Sequence, residues 1–329
     1  MQHGGVDIGD VMAVFDRDQT RLTPSTVFAS MIRLGKQASP MPCGNPLLQR
    51  CCLETANVAK LTVRHRVWRG WTKFHGKEDE VIVAASTECY RDLSLTDAIS
   101  KLTDLEYTTL EITVHESGNQ VKPSQVAADL EKAIAMCRDT HRLNIAAYSV
   151  EIDAEGEDYY RQFAAVCQLA KATKVVTLTI PSGEHGTPFN EEVERLRKLV
   201  ALAELEGVRV GMRSQAGRLS EDPDTVAVLC DNVKGLGITL DPSHYIFGPH
   251  QGKSIDKLMK YVYHVLLRDT KKDELQVRVG QGEVDYGKLI SQLSRVNYNR
   301  ALCVHITEMP DVDHMVELRK MRLLLDSLL

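Results

Sequence analysis

The chain has 329 residues, 43% apolar and 26% charged, a balance that supports a large core and excludes a disordered chain or a minimal disulfide-stapled domain. Its 40 Lys and Arg against 45 Asp and Glu give a net charge of -5 with no run of like charge, so nucleic acid is not expected as a partner. The longest apolar runs, such as 81–85 and 199–203, fall far below the roughly 18 residues of a membrane span, and no membrane is expected either.

Residues 1–80 differ in composition from the rest of the chain. They carry a charge of +3 against -8 for residues 81–329, and hold both tryptophans, Trp68 and Trp71, and three of the eight cysteines. No period of 2 or 3.6 is sustained there, and the stretch ends in the polar run 76–80. This segment reads as an N-terminal extension, disordered or irregular, with a small docking segment as the functional alternative. The cysteines show no CxxC pair, and the N-terminus lacks a basic start followed by an apolar stretch, which reads as reduced thiols in a cytoplasm.

From residue 81 onward short apolar runs alternate with helical stretches, the pattern of βα units around a parallel sheet. Strands are predicted at 81–86, 109–114, 144–150, 175–180, 208–212, 237–240, 263–267 and 301–306. Helix starts are signalled at Ser94 to Asp97, Pro123-Ser124, Asn190 to Glu192 and Asp222-Pro223, and a last helix is predicted over 313–328. Eight units in 249 residues predict a closed (β/α)8 TIM barrel. The first turn, 86–90, has no glycine, and Gly280-Gln281-Gly282 lacks the third glycine of a dinucleotide fingerprint, so NAD is not supported and no cofactor is expected.

Working residues of such barrels project from the C-terminal ends of the strands. The polar residues there are Glu88, Glu111 with His115, Glu151, Glu184 with His185, Arg213 with Gln215, Asp241 with His244, Arg268 with Asp269, and His305 with Glu308. The segment Thr239-Leu240-Asp241-Pro242-Ser243-His244-Tyr245 is the most specific of these. An acid directly after an apolar strand, fixed by proline and followed by histidine three residues later, brings a carboxylate and an imidazole to one mouth. A capped loop bonded to its own backbone is the structural alternative.

With the segments 216–223 and 276–286, this stretch resembles the xylose isomerase-like TIM barrel family of sugar phosphate isomerases and epimerases, over essentially all of 81–329. The resemblance implies a divalent metal held by a glutamate after strand five, an aspartate after strand six, a histidine in strand seven and a glutamate after strand eight. That metal polarises sugar oxygens while the glutamates move a proton through an enediolate. Asp241 matches the aspartate. Arg213, Leu266 and His305 stand at the other three positions. A guanidinium repels a dication and leucine offers no donor, so no bound metal is expected in the protein, with Asp241, His244 and His305 as a minimal three-ligand set in the alternative.

These replacements admit two accounts. In the first, Arg213 takes over the electrostatic task of the metal toward a sugar or sugar-acid ligand, with Asp241, His244 and His305 as catalytic residues. Arg213, Gln215, Arg268, Glu111 and Glu151 then contact substrate in an isomerase or epimerase. In the second, the barrel binds a sugar-like anion or a protein partner without turnover. A simpler structural reading of Arg213 is an internal pair with Asp241 that fills the vacated space. An endonuclease-like activity resembles the chain at the fold level only, since the histidine and carboxylate cluster for several zinc ions is missing. A homo-oligomer stays open. Cys89 is expected to be a buried thiol, the 183–190 loop with His185 to cover the mouth, and Lys271, Lys272, Arg319, Lys320 and Arg322 to lie on solvated faces.

Overall fold

The computed structural model describes residues 81–329, and the expectations made for residues 1–80 lie outside the described residues. Eight strands run β1 Ile82–Ser86, β2 Thr109–His115, β3 Asn144–Glu151, β4 Thr177–Ile180, β5 Arg209–Arg213, β6 Leu236–Leu240, β7 Val262–Leu267 and β8 Ala301–Val304. Each pairs in parallel with the next, and β8 closes on β1 with Ile82 opposite Ala301 and Ala85 opposite Val304. The barrel expected from the alternating pattern is therefore the fold of the described residues.

Strand alternation divides each strand between two environments. On β2, Leu110, Ile112 and Val114 belong to the large core between the barrel and its helices, while Glu111, Thr113 and His115 take the alternate positions. A second, small cluster of Ala84, Leu266, Ala301 and Cys303 lies apart from that core, on the lumen side of β1, β7 and β8. The lumen is otherwise polar: Thr179 and Thr239 share a hydroxyl hydrogen bond of 2.8 Å. Gly211 permits the close approach of β5 to β6, because a Cβ there would stand 2.7 Å from the Thr239 hydroxyl.

The helices are α1 Leu95–Asp104, α2 Pro123–Ala128, α3 Leu130–Arg138, α4 Gly156–Ala172, α5 Phe189–Leu205, α6 Pro223–Asn232, α7 Ser243–Ile246, α8 Tyr286–Arg295 and α9 His314–Asp326. Ser94, Asp222 and Asp313 cap α1, α6 and α9 by accepting from backbone N–H groups of the first turn. Ile99 and Leu102 of α1 are fully buried, each contributing roughly 1.5–3 kcal/mol relative to exposure. The second unit departs from one long helix: Asp129 leaves helical geometry and caps α3 through Lys132 N at 3.0 Å. The expectation of a full helix after every strand also fails at β6, which is followed by the four-residue α7 and a 3-10 turn at Asp256–Tyr261.

The long connection after β7 is organised by one carboxylate. Asp269 Oδ2 accepts from Gly280 N (2.8 Å) and Gly282 N (3.0 Å), and Oδ1 accepts from Thr270 N (3.2 Å). A Cβ on Gly282 would overlap that carboxylate, and Gly280 has φ +87°. The Gly-Gln-Gly segment is thus a backbone cradle for Asp269.

Candidate functional site at the barrel mouth

Ionisable side chains converge where β1, β2, β3 and β5 to β8 end. On one side a chain of contacts runs from β1 to β5. His115, last residue of β2, has Nδ1 3.6 Å from Glu88 Oε2, and its Nε2 lies 3.4 Å from Ser149 Oγ and 4.0 Å from Glu151 Oε2. Arg213, last residue of β5, reaches Glu151 Oε2 at 3.7 Å and donates to Gln215 Oε1 at 3.2 Å. Burial raises the Glu88 pKa above the ordinary carboxylate value against the opposing Arg91 and Arg213 guanidiniums. Burial, reinforced by Arg213, pushes His115 down to about 3, so its imidazole is neutral at neutral pH.

The other side is a closed network. Asp241, fully buried just beyond β6, accepts from Ser243 N (3.1 Å), the Ser243 hydroxyl and Arg268 (3.0 Å). Burial alone would raise its pKa, but Arg268, His244 and the Ser243 hydrogen bonds hold it below the ordinary value. Ala216 N–H donates to His244 Nδ1 at 3.2 Å, which puts the imidazole proton on Nε2, 3.6 Å from Asp241 Oδ2. Burial lowers His244 to about 4. Arg268 also donates to His305 Nδ1, which leaves the His305 proton on Nε2. Burial, with Arg268 and Arg213, holds His305 well below its ordinary pKa.

The structure therefore brings together Arg213, Gln215 and Glu151 on one side and Asp241, His244, Arg268 and His305 on the other. Glu111 is separated from both. It is fully buried in the lumen, four residues before His115 and so about 13 Å down the strand, with His264 rather than the mouth residues beside it. The partner expected for Asp241 is also corrected: Arg268 pairs with it, and Arg213 pairs with Glu151. Glu88 and His115, recognisable in the sequence only as strand-end polar residues, complete the open side.

Cavities flank the network. One of about 330 Å³, lined by Glu151, Asp153, Glu184, Arg195 and Arg218, opens beyond β3 and β4, and one of about 640 Å³, lined by Glu88, Tyr90, Arg91, Glu308 and His314, opens beside β1 and β8. None of the described cavities is lined by Asp241, Arg268 or His305. The 183–188 stretch is tied down by Glu184–Arg218 (3.7 Å) and His185–Glu221 (2.9 Å). Cys89 is buried as expected, and burial pushes its thiol up to about 12, which removes it as a nucleophile. Lys320 pairs with Glu317, and Arg322 with Glu106 and Asp326.

The four positions at which the resemblance implies metal ligands do not fit a divalent ion. Arg213 brings a cation, Leu266 faces the lumen with no donor atom, and the Asp241 carboxylate is already committed to Arg268 and Ser243.

The chain belongs to the xylose isomerase-like TIM barrel family, whose model matches residues 99–322. Among solved structures it is similar to a xylose isomerase domain protein from Planctomyces limnophilus, at 16% identity over 76% of this chain and 97% of that one, with a TM-score of 0.59. It is similar to the 3-keto-D-glucoside 4-epimerase YcjR from E. coli, at 12% identity over 75% and 100% of the chains, TM-score 0.59. A third is a xylose isomerase-like TIM barrel protein from Mycobacterium smegmatis in complex with magnesium, at 15% identity over 76% and 98%, TM-score 0.59. These likenesses establish the fold. No curated protein matches the chain. Among the described residues no helix is long and apolar enough to cross a membrane.

Proposed function

We propose that the barrel mouth binds a small anionic sugar derivative, a sugar acid or sugar phosphate, and isomerises or epimerises it without a metal at the family position. The observation that carries this reading is the open chain Glu88–His115–Glu151–Arg213, two carboxylates on either side of a neutral imidazole with a guanidinium at its end. Arg213 pairs with the ligand's carboxylate or phosphate. Glu88, with its raised pKa, takes the proton from the carbon beside a carbonyl, and the electron pair of that C–H bond moves into an enediolate. His305 donates from Nε2 to the oxygen where charge develops, and Asp241, His244 and Arg268 hold that imidazole in place. Glu88 then gives that proton to the neighbouring carbon, which completes an isomerisation; an epimerisation requires Glu151 to enter protonated and give its proton to the opposite face of the same carbon.

Sugar epimerases among proteins of this fold, YcjR for one, support the substrate class. The commitment of Arg268 to both Asp241 and His305 supports a second reading in which the barrel binds the anion without turnover.

A screen of sugar acids, sugar phosphates and neutral sugars tests the first. A charge-assisted bidentate contact contributes roughly 1.5–3 kcal/mol, so Arg213→Ala weakens an anionic ligand by about 10- to 150-fold and leaves neutral sugars unchanged. Unchanged affinity for the anion sinks the proposal. Incubation of the bound ligand in D2O separates the readings: deuterium enters a carbon position of the ligand only if a C–H bond is broken.

A further inference from the structure

Beneath the mouth lies a second group of side chains that the proposed chemistry leaves unused. Glu111 of β2, His264 of β7 and Cys303 of β8 point one donor atom each at a common spot in the lumen, with all three atoms within 4.8 Å of one another. The three residues are 0–2% exposed. His264 Nε2 and Glu111 Oε2 approach to 3.0 Å without the alignment of a hydrogen bond. Both Glu111 oxygens and His264 Nε2 are thus without a hydrogen-bond partner among the described residues. The small apolar cluster that contains Cys303 is completed by Ala84, Leu266 and Ala301, whose side chains offer no donor to a carboxylate. A buried carboxylate left without a hydrogen bond costs roughly 1–3 kcal/mol or more.

We propose that this lumen cluster is a metal site, holding one borderline-soft divalent cation of the zinc, cobalt(II) or iron(II) class through Glu111, His264 and Cys303. One carboxylate oxygen, one imidazole nitrogen and one sulfur form a donor set for such ions, whereas magnesium and calcium take oxygen. The three come from strands distant in sequence and lie one inward-facing step or more below the mouth: His264 precedes Leu266 by two residues, and Cys303 precedes His305 by two. On β7 a donor absent at Leu266 is thus present one layer deeper, at His264. Binding forms the metal–sulfur, metal–nitrogen and metal–oxygen bonds and releases the thiol proton to solvent, so affinity rises with pH. The bound ion cross-links β2, β7 and β8 beneath Arg268 and His305.

The full-length chain is refolded with chelator, then titrated with zinc and, separately, with cobalt(II). One equivalent is expected to bind, zinc raising the melting temperature and cobalt(II) giving the thiolate-to-metal charge-transfer band. Cys303→Ser abolishes the band and weakens zinc by more than about 100-fold, beyond what loss of an outer-shell partner costs. His264→Gln, which retains the thiol, weakens zinc likewise and serves where Cys303→Ser does not fold. A triple serine variant at Cys43, Cys51 and Cys52 and the mouth variant Arg213→Ala keep both signals, which separates this proposal from the fate of the mouth. Absence of binding by the parent chain, or a band that survives Cys303→Ser, overturns it.

Discussion

Three imidazoles at the mouth share one physical condition: they are buried beside guanidiniums and therefore neutral. His115 falls to about 3 and His244 to about 4, against 6.5 for the free side chain. Below pH 6.5 the denatured chain takes up protons at these positions before the native one, so stability falls as pH falls from 6.5 toward 4. The slope is about 1.4 kcal/mol per pH unit for each proton bound only by the denatured state. Glu88 works the other way, since its raised pKa lets the native state bind a proton first and recover part of the loss. Urea midpoints measured at half-unit steps from pH 7 to pH 5 are expected to decline in the parent and to decline less in His115→Gln. Equal profiles for the two would show that His115 is not held neutral. The sequence made these histidines visible as strand-end residues, but not their partners. Whether Arg213 or Arg268 meets Asp241 depends on which strand ends face one another across a sheared barrel, and that is fixed by closure over the whole chain rather than by any local pattern.

Element boundaries were legible to within about two residues because each strand carries buried apolar side chains at least at alternate positions and is bounded by polar segments. Depth within a strand was not. Glu111 reads as a mouth residue when only strand ends are considered, and a difference of four residues moves a side chain about 13 Å down the lumen. The glycine pair after β7 is a similar case. As a motif it is recognisable only as lacking the third glycine of a dinucleotide fingerprint, and in the structure its two N–H groups, with that of Thr270, satisfy the buried Asp269 carboxylate. Asp269→Ala leaves these donors without their acceptor, and hydrogen bonds to a charged group contribute roughly 1.5–3 kcal/mol each before water replaces some of them. A loss of about 2–4 kcal/mol in the urea unfolding free energy is expected, with near-ultraviolet circular dichroism reporting whether the connection has rearranged. A change below about 0.5 kcal/mol would mean that water substitutes fully for the carboxylate.

At the scale of the whole chain, eight strands and their connections close on themselves within residues 81–329, and β1 at the start of that span pairs with β8 at its end. A closed barrel has no free edge for an outside strand to complete. The compositional break near residue 80 falls just before β1, the first strand of the described residues. Period-2 and helical patterning made this architecture readable, because both faces of every strand must be covered and the helices that cover them carry their own caps. The barrel is therefore expected to fold without residues 1–80. A chain beginning at Glu80 should be soluble and give one cooperative thermal transition, with far-ultraviolet circular dichroism of a mixed α/β protein and a urea dependence appropriate to about 250 ordered residues. Aggregation, or a broad non-cooperative melt where the full-length chain melts sharply, would show that the barrel depends on the preceding segment. Recovery of cooperativity on adding residues 1–80 as a separate polypeptide would then identify that segment as part of the folding unit.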